Sequence, residues 1–454
     1  MKSIFAPTDM TVGTPWKSIL SFSIPMLIGN IAQQLYSTVD SIIVGKYIGD
    51  NALASVGSVL PIVNMLLVLF IGIAAGASIM VSQYFGAKNR EKLSITIGNC
   101  ITVTAIVSVV LMLAAPPFIR KVLELLNTPA AIIDGCESYL VISVVGIAGM
   151  AYYNILSGII RGMGDSISAL IYLVVATIIN IFLDLILVKS MGIAGVALAT
   201  IISQFISSVL CLIKLAKMKE YFTLDFSTLK LKKDCVKTLV RLGLPSGLTQ
   251  AIMSSAMIVV QALTNQFGEQ FIAANIIVMR VDGFAMMPNL SFGTAMTTYA
   301  GQNIGAKRLD RVSIGAKHGL LISVICSTLI TGIILLFGKY LMMAFTSTTE
   351  LVELSVNLMK ILAAGYIAMA VTQSLGGIMR GAGDTVTPMW ITLITTIFMR
   401  IPLAYGISYI TRTPELPLGH KECIQISLLI TWIMGAILTT IFYLKGNWKK
   451  KALD

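Results

Sequence analysis

Twelve stretches of mostly apolar residues recur along this 454-residue chain, each about as long as a helix that crosses a lipid bilayer. They cover residues 18–44, 53–83, 94–118, 134–159, 167–188, 193–215, 239–265, 271–300, 313–337, 351–378, 386–410 and 423–444. Because the bilayer core offers no water to backbone N–H and C=O groups, each stretch is predicted to be an α-helix. The sequence therefore predicts an all-α polytopic membrane protein with twelve spans.

The charged residues support this prediction and exclude other classes of protein. Only 12% of the residues are charged, whereas soluble proteins carry about 25%. The net charge of +12 comes from Lys and Arg in short segments between the apolar stretches, and not from one basic face as nucleic-acid binding requires. Two histidines and six scattered cysteines offer no metal-ligand cluster. We expect no nucleic-acid partner, no cofactor and no structural metal.

The two halves of the chain repeat each other at one constant spacing. Gln83 with Gly86-Ala87-Lys88 recurs as Gln302 with Gly305-Ala306-Lys307, and the segment 161–165 (RGMGD) recurs at the same spacing as 380–384 (RGAGD). Each half holds six spans, so both halves enter the membrane in the same sense. Parallel repeats of this kind are typical of transporters, with the substrate site at the interface of the repeats.

The basic residues between the spans predict the orientation and the domain boundaries. With both termini in the cytoplasm, most of the 33 Lys and Arg residues lie on the cytoplasmic side, as the positive-inside rule requires. A polar stretch near the middle of the chain is the one obvious linker. We therefore predict an N-terminal lobe at 1–216, a cytoplasmic linker at 217–237 and a C-terminal lobe at 238–454, in a bacterial-type inner membrane.

The two RGxGD segments are interpreted as structural turns. Their glycines permit a tight turn with positive φ, and Asp165 and Asp384 are placed to cap the helix that follows. No strand precedes either glycine pair, so neither is a dinucleotide-binding fingerprint. The chain also contains no Walker A sequence. We expect a protein that is not an enzyme.

Four features together resemble the multidrug and toxic compound extrusion (MATE) transporters: Pro25 in span one, the segment 49–54 (GDNALA), the segment 83–88 (QYFGAK) and the twin RGxGD turns. The resemblance runs over essentially the whole chain. It implies two six-helix lobes in a V shape with a central cavity. It also implies alternating access driven by H⁺ or Na⁺, and substrates that are often lipophilic organic cations.

Acidic residues inside the spans are the candidates for ion coupling, because ionisable groups in hydrocarbon are costly and usually face a cavity or a partner. Asp40 lies near the outer end of span one and Asp184 near the outer end of span five. Asn180 is one helical turn from Asp184, and Thr200 on span six reaches a comparable depth. We predict that these four residues bind H⁺ or Na⁺, since two carboxylates sharing an apolar pocket are not expected to be ionised together.

The repeat makes this prediction sharper, since the positions of the second half that match Asp40 and Asp184 hold Val259 and Leu403. Symmetry holds for the turns and fails for the charges inside the spans. The MATE branch with acidic residues in its N-terminal lobe has matching residues in spans one and five, together with a matching Asn and Thr. The resemblance thus implies the same role for this pocket.

Further polar, basic and methionine side chains are predicted to line a substrate cavity. They are Gln33, Tyr36 and Ser37 on span one, Met253, Met257 and Gln261 on span seven, Arg280, Asp282, Met286 and Met287 on span eight, Lys360 on span ten and Arg400 on span eleven. Flexible apolar side chains suit a pocket that accepts several ligands, although methionine is also a common filler between helices. The second half lacks the acidic residues on spans seven and ten that another MATE branch uses for sodium.

These observations predict a monomeric multidrug exporter that exchanges small, often lipophilic cationic compounds for H⁺ or Na⁺. The basic residues of the second half keep two alternatives open. One is a flippase for lipid-linked precursors, and the other is an exporter of zwitterionic or anionic metabolites.

Overall fold

The computed structural model describes residues 6–126 and 128–453, apart from the side chains of Ser37, Ser41, Ile42, Gly45, Asp50, Asn51, Leu53 and Ala54. The first half forms nine helices, α1 Pro15–Tyr47, α2 Asp50–Gly86, α3 Arg90–Ala114, α4 Ile119–Leu125, α5 Ala130–Val145, α6 Ile147–Gly162, α7 Ser166–Met191, α8 Ile193–Lys217 and the short α9 Phe226–Leu229. A 3₁₀ turn at Pro116–Phe118 joins α3 to α4.

The second half repeats this order. It contains α10 Lys233–Gln266, α11 Glu269–Gly305, α12 Leu309–Met343, α13 Thr349–Ala363, α14 Gly365–Gly381, α15 Val386–Leu393, a π-helix at Ile394–Arg400, α16 Ile401–Ile410, α17 Cys423–Lys445 and a 3₁₀ turn at Asn447–Lys450. Both ends of α2 match those of α11 at the spacing of the sequence repeat, and the end of α6 matches the end of α14. The prediction of two similar halves in an all-helical chain is confirmed.

Nine helices in the described part of the chain are long and apolar enough to cross a membrane, or up to eleven if each of two bent helix pairs is one span. The remaining predicted span, 18–44, coincides with α1. Some side chains of α1 are not among those that the structure describes. Exposed apolar side chains cover the outer faces of these helices. On α12 they follow helical spacing at Leu321, Ile325, Leu329, Ile333 and Leu336. Such faces suit contact with lipid.

Spans four and ten, predicted as single helices, are each broken near the middle. Helices α5 and α6 meet at an angle of 51°, and α13 and α14 at 43°. At the first break, a Cβ on Gly146 would lie 2.3 Å from the side chain of Ile201. At the second, a Cβ on Gly365 would lie 2.4 Å from the ring of Trp432. A glycine at each break therefore lets a bulky side chain from another helix approach the backbone.

The two RGxGD turns have the conformation that the sequence predicts. Gly164 and Gly383 have φ of 88° and 93°. Asp165 accepts hydrogen bonds from the backbone N–H and the hydroxyl of Ser168, at 2.9 and 2.7 Å. Asp384 accepts the same two bonds from Thr387. Both carboxylates thus cap the start of the following helix.

The chain divides into two compact units whose bounds differ from the predicted lobes. The first unit contains residues 1–9 and 24–247, and the second contains residues 10–23 and 248–454. The divisions within α1 and α10 fall beside Pro25 and Pro245, the prolines of the repeat. Within the first unit, α2 packs against α3, α5 and α6, and α7 packs against α8. Within the second, α11 packs against α12, α13 and α14.

The predicted linker is a folded part of the first unit, because its backbone is bonded to α3. The buried Asn99 donates hydrogen bonds to the carbonyls of Thr228 and Lys230, at 3.2 and 3.1 Å. Its carbonyl oxygen accepts a bond from the N–H of Lys232 at 2.7 Å. A Cβ on the neighbouring Gly98 would lie 2.3 Å from the carbonyl oxygen of Thr228. The segment is therefore fixed closely against α3.

Candidate functional site

A polar pocket lies among helices α1, α5, α7 and α8 of the first unit. Asn180 and Asp184 are one turn apart on α7, and both are fully buried. Asp40 on α1 comes within hydrogen-bonding reach of Asp184. The structure thus brings together residues from helices that are more than one hundred positions apart in the sequence.

Thr200 on α8 joins α1 to α7 on another side of this pocket. Its hydroxyl shares a hydrogen bond of 3.2 Å with the hydroxyl of Tyr36. It also receives a long bond of 3.5 Å from the side-chain amide of Asn180. Four of the predicted residues, Asp40, Asn180, Asp184 and Thr200, therefore form one connected cluster with Tyr36.

The oxygens of this cluster have few hydrogen-bond donors. Both carboxyl oxygens of Asp184, one of Asp40 and the amide oxygen of Asn180 are buried without a donor among the described residues. A hydrogen bond between the two carboxyl groups needs a proton on one of them. Buried oxygens without donors are rare in native proteins. The pocket is therefore suited to hold a proton or a small cation.

Tyr139 on α5 is a member of this pocket that sequence reasoning missed. Its side chain is buried beside Asp40 and Asp184. No sequence motif marks it, since its position depends on how α5 packs against α2 and α8. Of the other predicted residues, Gln33 has an exposed side chain, and the side chain of Ser37 lies outside the described residues.

The second unit contains a cavity of about 300 Å³ within its own helix bundle. Six predicted residues line it, namely Met253, Met257, Gln261, Asp282, Met286 and Arg400. The side chains of Met253 and Met257 are 44% exposed, so the cavity is accessible along α10. Its wall is mixed, with methionine and leucine side chains between amides, hydroxyls and two charged groups.

The charged groups of this cavity are positioned by three different elements. Asp282 on α11 accepts a hydrogen bond of 2.9 Å from the hydroxyl of Tyr366 on α14. Arg400, the last residue of the π-helix, lies close enough to Asp282 for the two charges to interact. The Nε of Arg400 is buried without an acceptor among the described residues. Tyr366 supplies a partner for Asp282 that the sequence did not identify.

Three of the second-half residues predicted for the substrate cavity do not line this one. Arg280 and Lys360 have exposed side chains, although they lie on the same helices as Asp282 and its neighbours. Met287 is buried in the core of the second unit, one position from the lining residue Met286. Adjacent residues on a helix point about 100° apart. Arg280 and Met287 therefore lie on other faces of α11 than Asp282 and Met286, which line the cavity.

Several polar lining residues were not predicted. Gln425 on α17 donates a hydrogen bond of 2.9 Å to Asn275 on α11, and both side chains are buried. Thr395 and Thr396 come from the π-helix. Gln425 and Asn275 are polar amides inside predicted spans. Sequence reasoning could have selected them on that ground, because polar side chains in spans usually face a cavity or a partner.

Relatives of known sequence resemble this chain over nearly its whole length. The probable multidrug resistance protein YoeA of Bacillus subtilis is 29% identical, over 96% of this chain and 95% of its own. The probable multidrug resistance protein NorM of Thermotoga maritima is 25% identical, over 96% of this chain and 94% of its own. The similarity therefore extends over both halves of the chain.

Solved structures show the same fold. The crystal structure of MATE in complex with MaL6 superposes with a TM-score of 0.90 at 23% identity, covering 99% of this chain and 100% of its own. A transporter of the MOP superfamily from Pyrococcus furiosus, described as having a binding pocket of reverse polarity, superposes with a TM-score of 0.88 at 23% identity, covering 98% of each chain.

The family model of MatE matches this chain twice, once in each half, at residues 25–186 and 245–406. The two matches begin at Pro25 and Pro245 and include both RGxGD turns, Asp40 and Asp184. They cover more than half of the sequence. The chain, a multi-pass membrane protein of two similar halves, belongs to the MatE family.

Proposed function

We propose that this protein is a secondary active exporter of small organic compounds, driven by exchange with H⁺ or Na⁺. Its membership in the MatE family and the names of its relatives, probable multidrug resistance proteins, support export of several compounds. The carboxyl pair Asp40 and Asp184 carries the coupling part of the proposal. The repeat holds Val259 and Leu403 at the equivalent positions, so the pair is an addition to the scaffold.

The coupling ion satisfies the oxygens that lack donors. A proton shared between Asp40 and Asp184 forms the hydrogen bond that two ionised carboxylates cannot form. A Na⁺ ion is held instead by carboxylate, amide and hydroxyl oxygens, including those of Asn180 and Thr200. The close approach of the two carboxyl groups favours the proton. Binding then links α1 to α7, so occupancy changes the free energy of the conformations that differ in this contact.

Orientation follows from the loop charges. We place both termini in the cytoplasm, together with the RGxGD turns and the segment 217–237, because most Lys and Arg residues then lie inside. Export in this orientation runs from the cytoplasm outward, and ions enter as substrate leaves.

Transport by the purified full-length protein in proteoliposomes tests this function. Efflux of ethidium is followed with a pH gradient and a Na⁺ gradient imposed separately. We expect efflux to accelerate when the pH gradient is imposed and to be unaffected by the Na⁺ gradient alone. Acceleration by the Na⁺ gradient alone would show that the coupling ion is Na⁺ and not the proton. Equal rates with and without either gradient would contradict ion coupling.

A further inference from the structure

The cavity of the second unit contains two opposite charges that the coupling pocket does not explain. Asp282 and Arg400 both line it. Asp282 is hydrogen-bonded to Tyr366 on one side. Among the residues that the structure describes, Arg400 forms no hydrogen bond, and its charge interacts with Asp282 across a gap without an ion-pair contact. A buried guanidinium N–H without an acceptor, such as the Nε of Arg400, costs free energy unless a ligand satisfies it.

The backbone around Arg400 differs from that of the matching segment in the first half. Residues Ile394–Arg400 form a π-helix, whereas residues 175–181 lie within the regular helix α7. Pro402 is one local difference between the two segments, because proline has no N–H and its ring collides with the carbonyl four residues earlier. The matching position holds Leu183. The proline and the arginine are therefore both specific to the second half.

The π-helix places donors on the cavity wall. Hydrogen bonds in a π-helix join residues five apart, so Thr395 and Arg400 come to the same face. Both line the cavity, together with Thr396. π-turns occur frequently at functional sites. The position of the first half that matches Arg400 holds Ile181, so the matching segment of α7 has neither the turn nor the charge.

The body of the cavity is apolar and adaptable. Met253, Met257, Met279, Met286 and Met369 line it, beside the ring of Trp432. Methionine side chains adjust to ligands of different shape. At about 300 Å³, the cavity lies at the lower end of the range for small-molecule sites, about 300–1,000 Å³. A small aromatic or branched organic molecule fits this description.

We propose that this cavity binds a small zwitterionic organic molecule, whose carboxylate contacts Arg400 and whose ammonium group contacts Asp282. The two charged ends of the ligand then satisfy the two charges that do not contact each other. The apolar body of the ligand packs against the methionines and Trp432. This assignment rests on the proposed function and names one substrate class for it.

Quenching of tryptophan fluorescence in the purified full-length protein tests this assignment. The probes are three compounds with one nitrophenyl group: 4-nitrophenylalanine (zwitterion), 4-nitrophenethylamine (cation) and 3-(4-nitrophenyl)propionate (anion). Nitrophenyl groups quench indole emission at short range, so Trp432 reports occupancy of the cavity. The Trp432→Phe variant separates this signal from quenching of the other three tryptophans.

We expect the zwitterion to bind more tightly than the cation and the anion, with a signal that disappears in Trp432→Phe. Arg400→Gln should weaken binding of the zwitterion by about tenfold or more, the loss expected for a hydrogen bond to a charged group, and leave the cation bound at least as tightly, because a like charge is removed. Asp282→Asn should weaken binding of the zwitterion and leave the anion bound at least as tightly, for the same reason. Retained binding of the one-charge probe shows that each variant is folded.

Arg280→Gln and Lys360→Gln are the matched controls, since both remove an exposed basic group of the second unit that does not line the cavity. Neither should change the order of the three probes. A zwitterion that binds no better than the cation, or that does not bind, would overturn the assignment. So would an equal loss for all three probes in Arg400→Gln. Because binding needs no gradient, this outcome is independent of the transport assay.

Discussion

The carboxyl groups of Asp40 and Asp184 come within hydrogen-bonding reach of each other, and they belong to helices α1 and α7 of the first unit. Asp184 is fully buried, and neither of its oxygens receives a hydrogen bond from a donor among the described residues. The proposed coupling assigns a proton or cation to this contact, because two ionised carboxyl groups this close repel each other. On that proposal, occupancy by the ion changes how α1 and α7 pack.

Replacing Asp184 with asparagine should abolish coupling while leaving the fold intact. The amide keeps the shape of the side chain, and it removes the group that takes up the ion. We expect gradient-driven ethidium efflux to fall by about tenfold or more, within the range of coupling between two sites. The unfolding temperature should be unchanged or raised, because a buried carboxyl without donors is replaced by a neutral group. Proteoliposome efflux and thermal unfolding measure the two effects.

Asp134→Asn is the control for this substitution. Asp134 lies on α5 of the same unit, but its side chain is exposed and paired with Arg120 at 3.1 Å. Exposed ion pairs contribute little to stability, so this variant should transport at the wild-type rate. Efflux by Asp184→Asn at the wild-type rate would show that Asp184 takes no part in ion coupling.

Features set by local chemistry were predictable from the sequence. The length of each apolar stretch predicts a membrane span, and the glycine and aspartate of each RGxGD turn predict the conformation of that turn. The break at Gly146 was not predictable, because it depends on the approach of Ile201 from α8. The same holds for the bond between Tyr366 and Asp282, whose residues are 84 positions apart. Which face of a helix meets a neighbour is decided by packing, and this explains why Arg280 is exposed while Asp282 lines the cavity.

Asn99 should be important for stability although it lies outside both candidate sites. Its side chain bonds to three backbone groups of the segment 217–237. The Asn99→Ala variant leaves these groups without partners, and we expect a loss of about 2–4 kcal/mol in the free energy of unfolding. Limited proteolysis should then cut the segment 217–237 faster. Asn357→Ala, at an exposed position of α13, is the control and should change neither measurement.

Two lysines occupy a backbone conformation that favours glycine. Lys88 and Lys307, at the equivalent turns of the two halves, have φ of 54° and 58°. A side chain in this region costs about 1–2 kcal/mol, which exceeds the entropy that glycine adds to the unfolded chain. Lys88→Gly and Lys307→Gly should therefore each stabilise the protein by about 0.5–1 kcal/mol. Thermal unfolding measures this change.

Lys230→Gly provides the comparison for these turns, since Lys230 has a φ of −64°. No backbone strain is relieved there, and glycine only raises the conformational entropy of the unfolded chain. This variant should be slightly less stable than the wild type. Destabilisation by Lys88→Gly of equal size would show that the lysine side chain itself stabilises the turn.

Helices α2 and α10 cross through glycines in the first unit. A Cβ on Gly72 would lie 2.8 Å from the carbonyl oxygen of Gly243 and 3.3 Å from the Cα of Gly247. Because both neighbours are backbone atoms, they cannot rotate away, and the helices must separate to admit a methyl group. Small residues of this kind allow close packing of helices in membranes. Gly72→Ala should therefore destabilise the protein by about 1–3 kcal/mol.

Gly332→Ala on α12 tests whether the effect comes from the crossing and not from the exchange itself. A Cβ at Gly332 meets no atom within 4 Å. Alanine is the better helix former by about 1 kcal/mol, so this variant should be as stable as the wild type or more stable. An unfolding temperature for Gly72→Ala equal to that of the wild type would show that α2 and α10 pack less closely than this crossing requires.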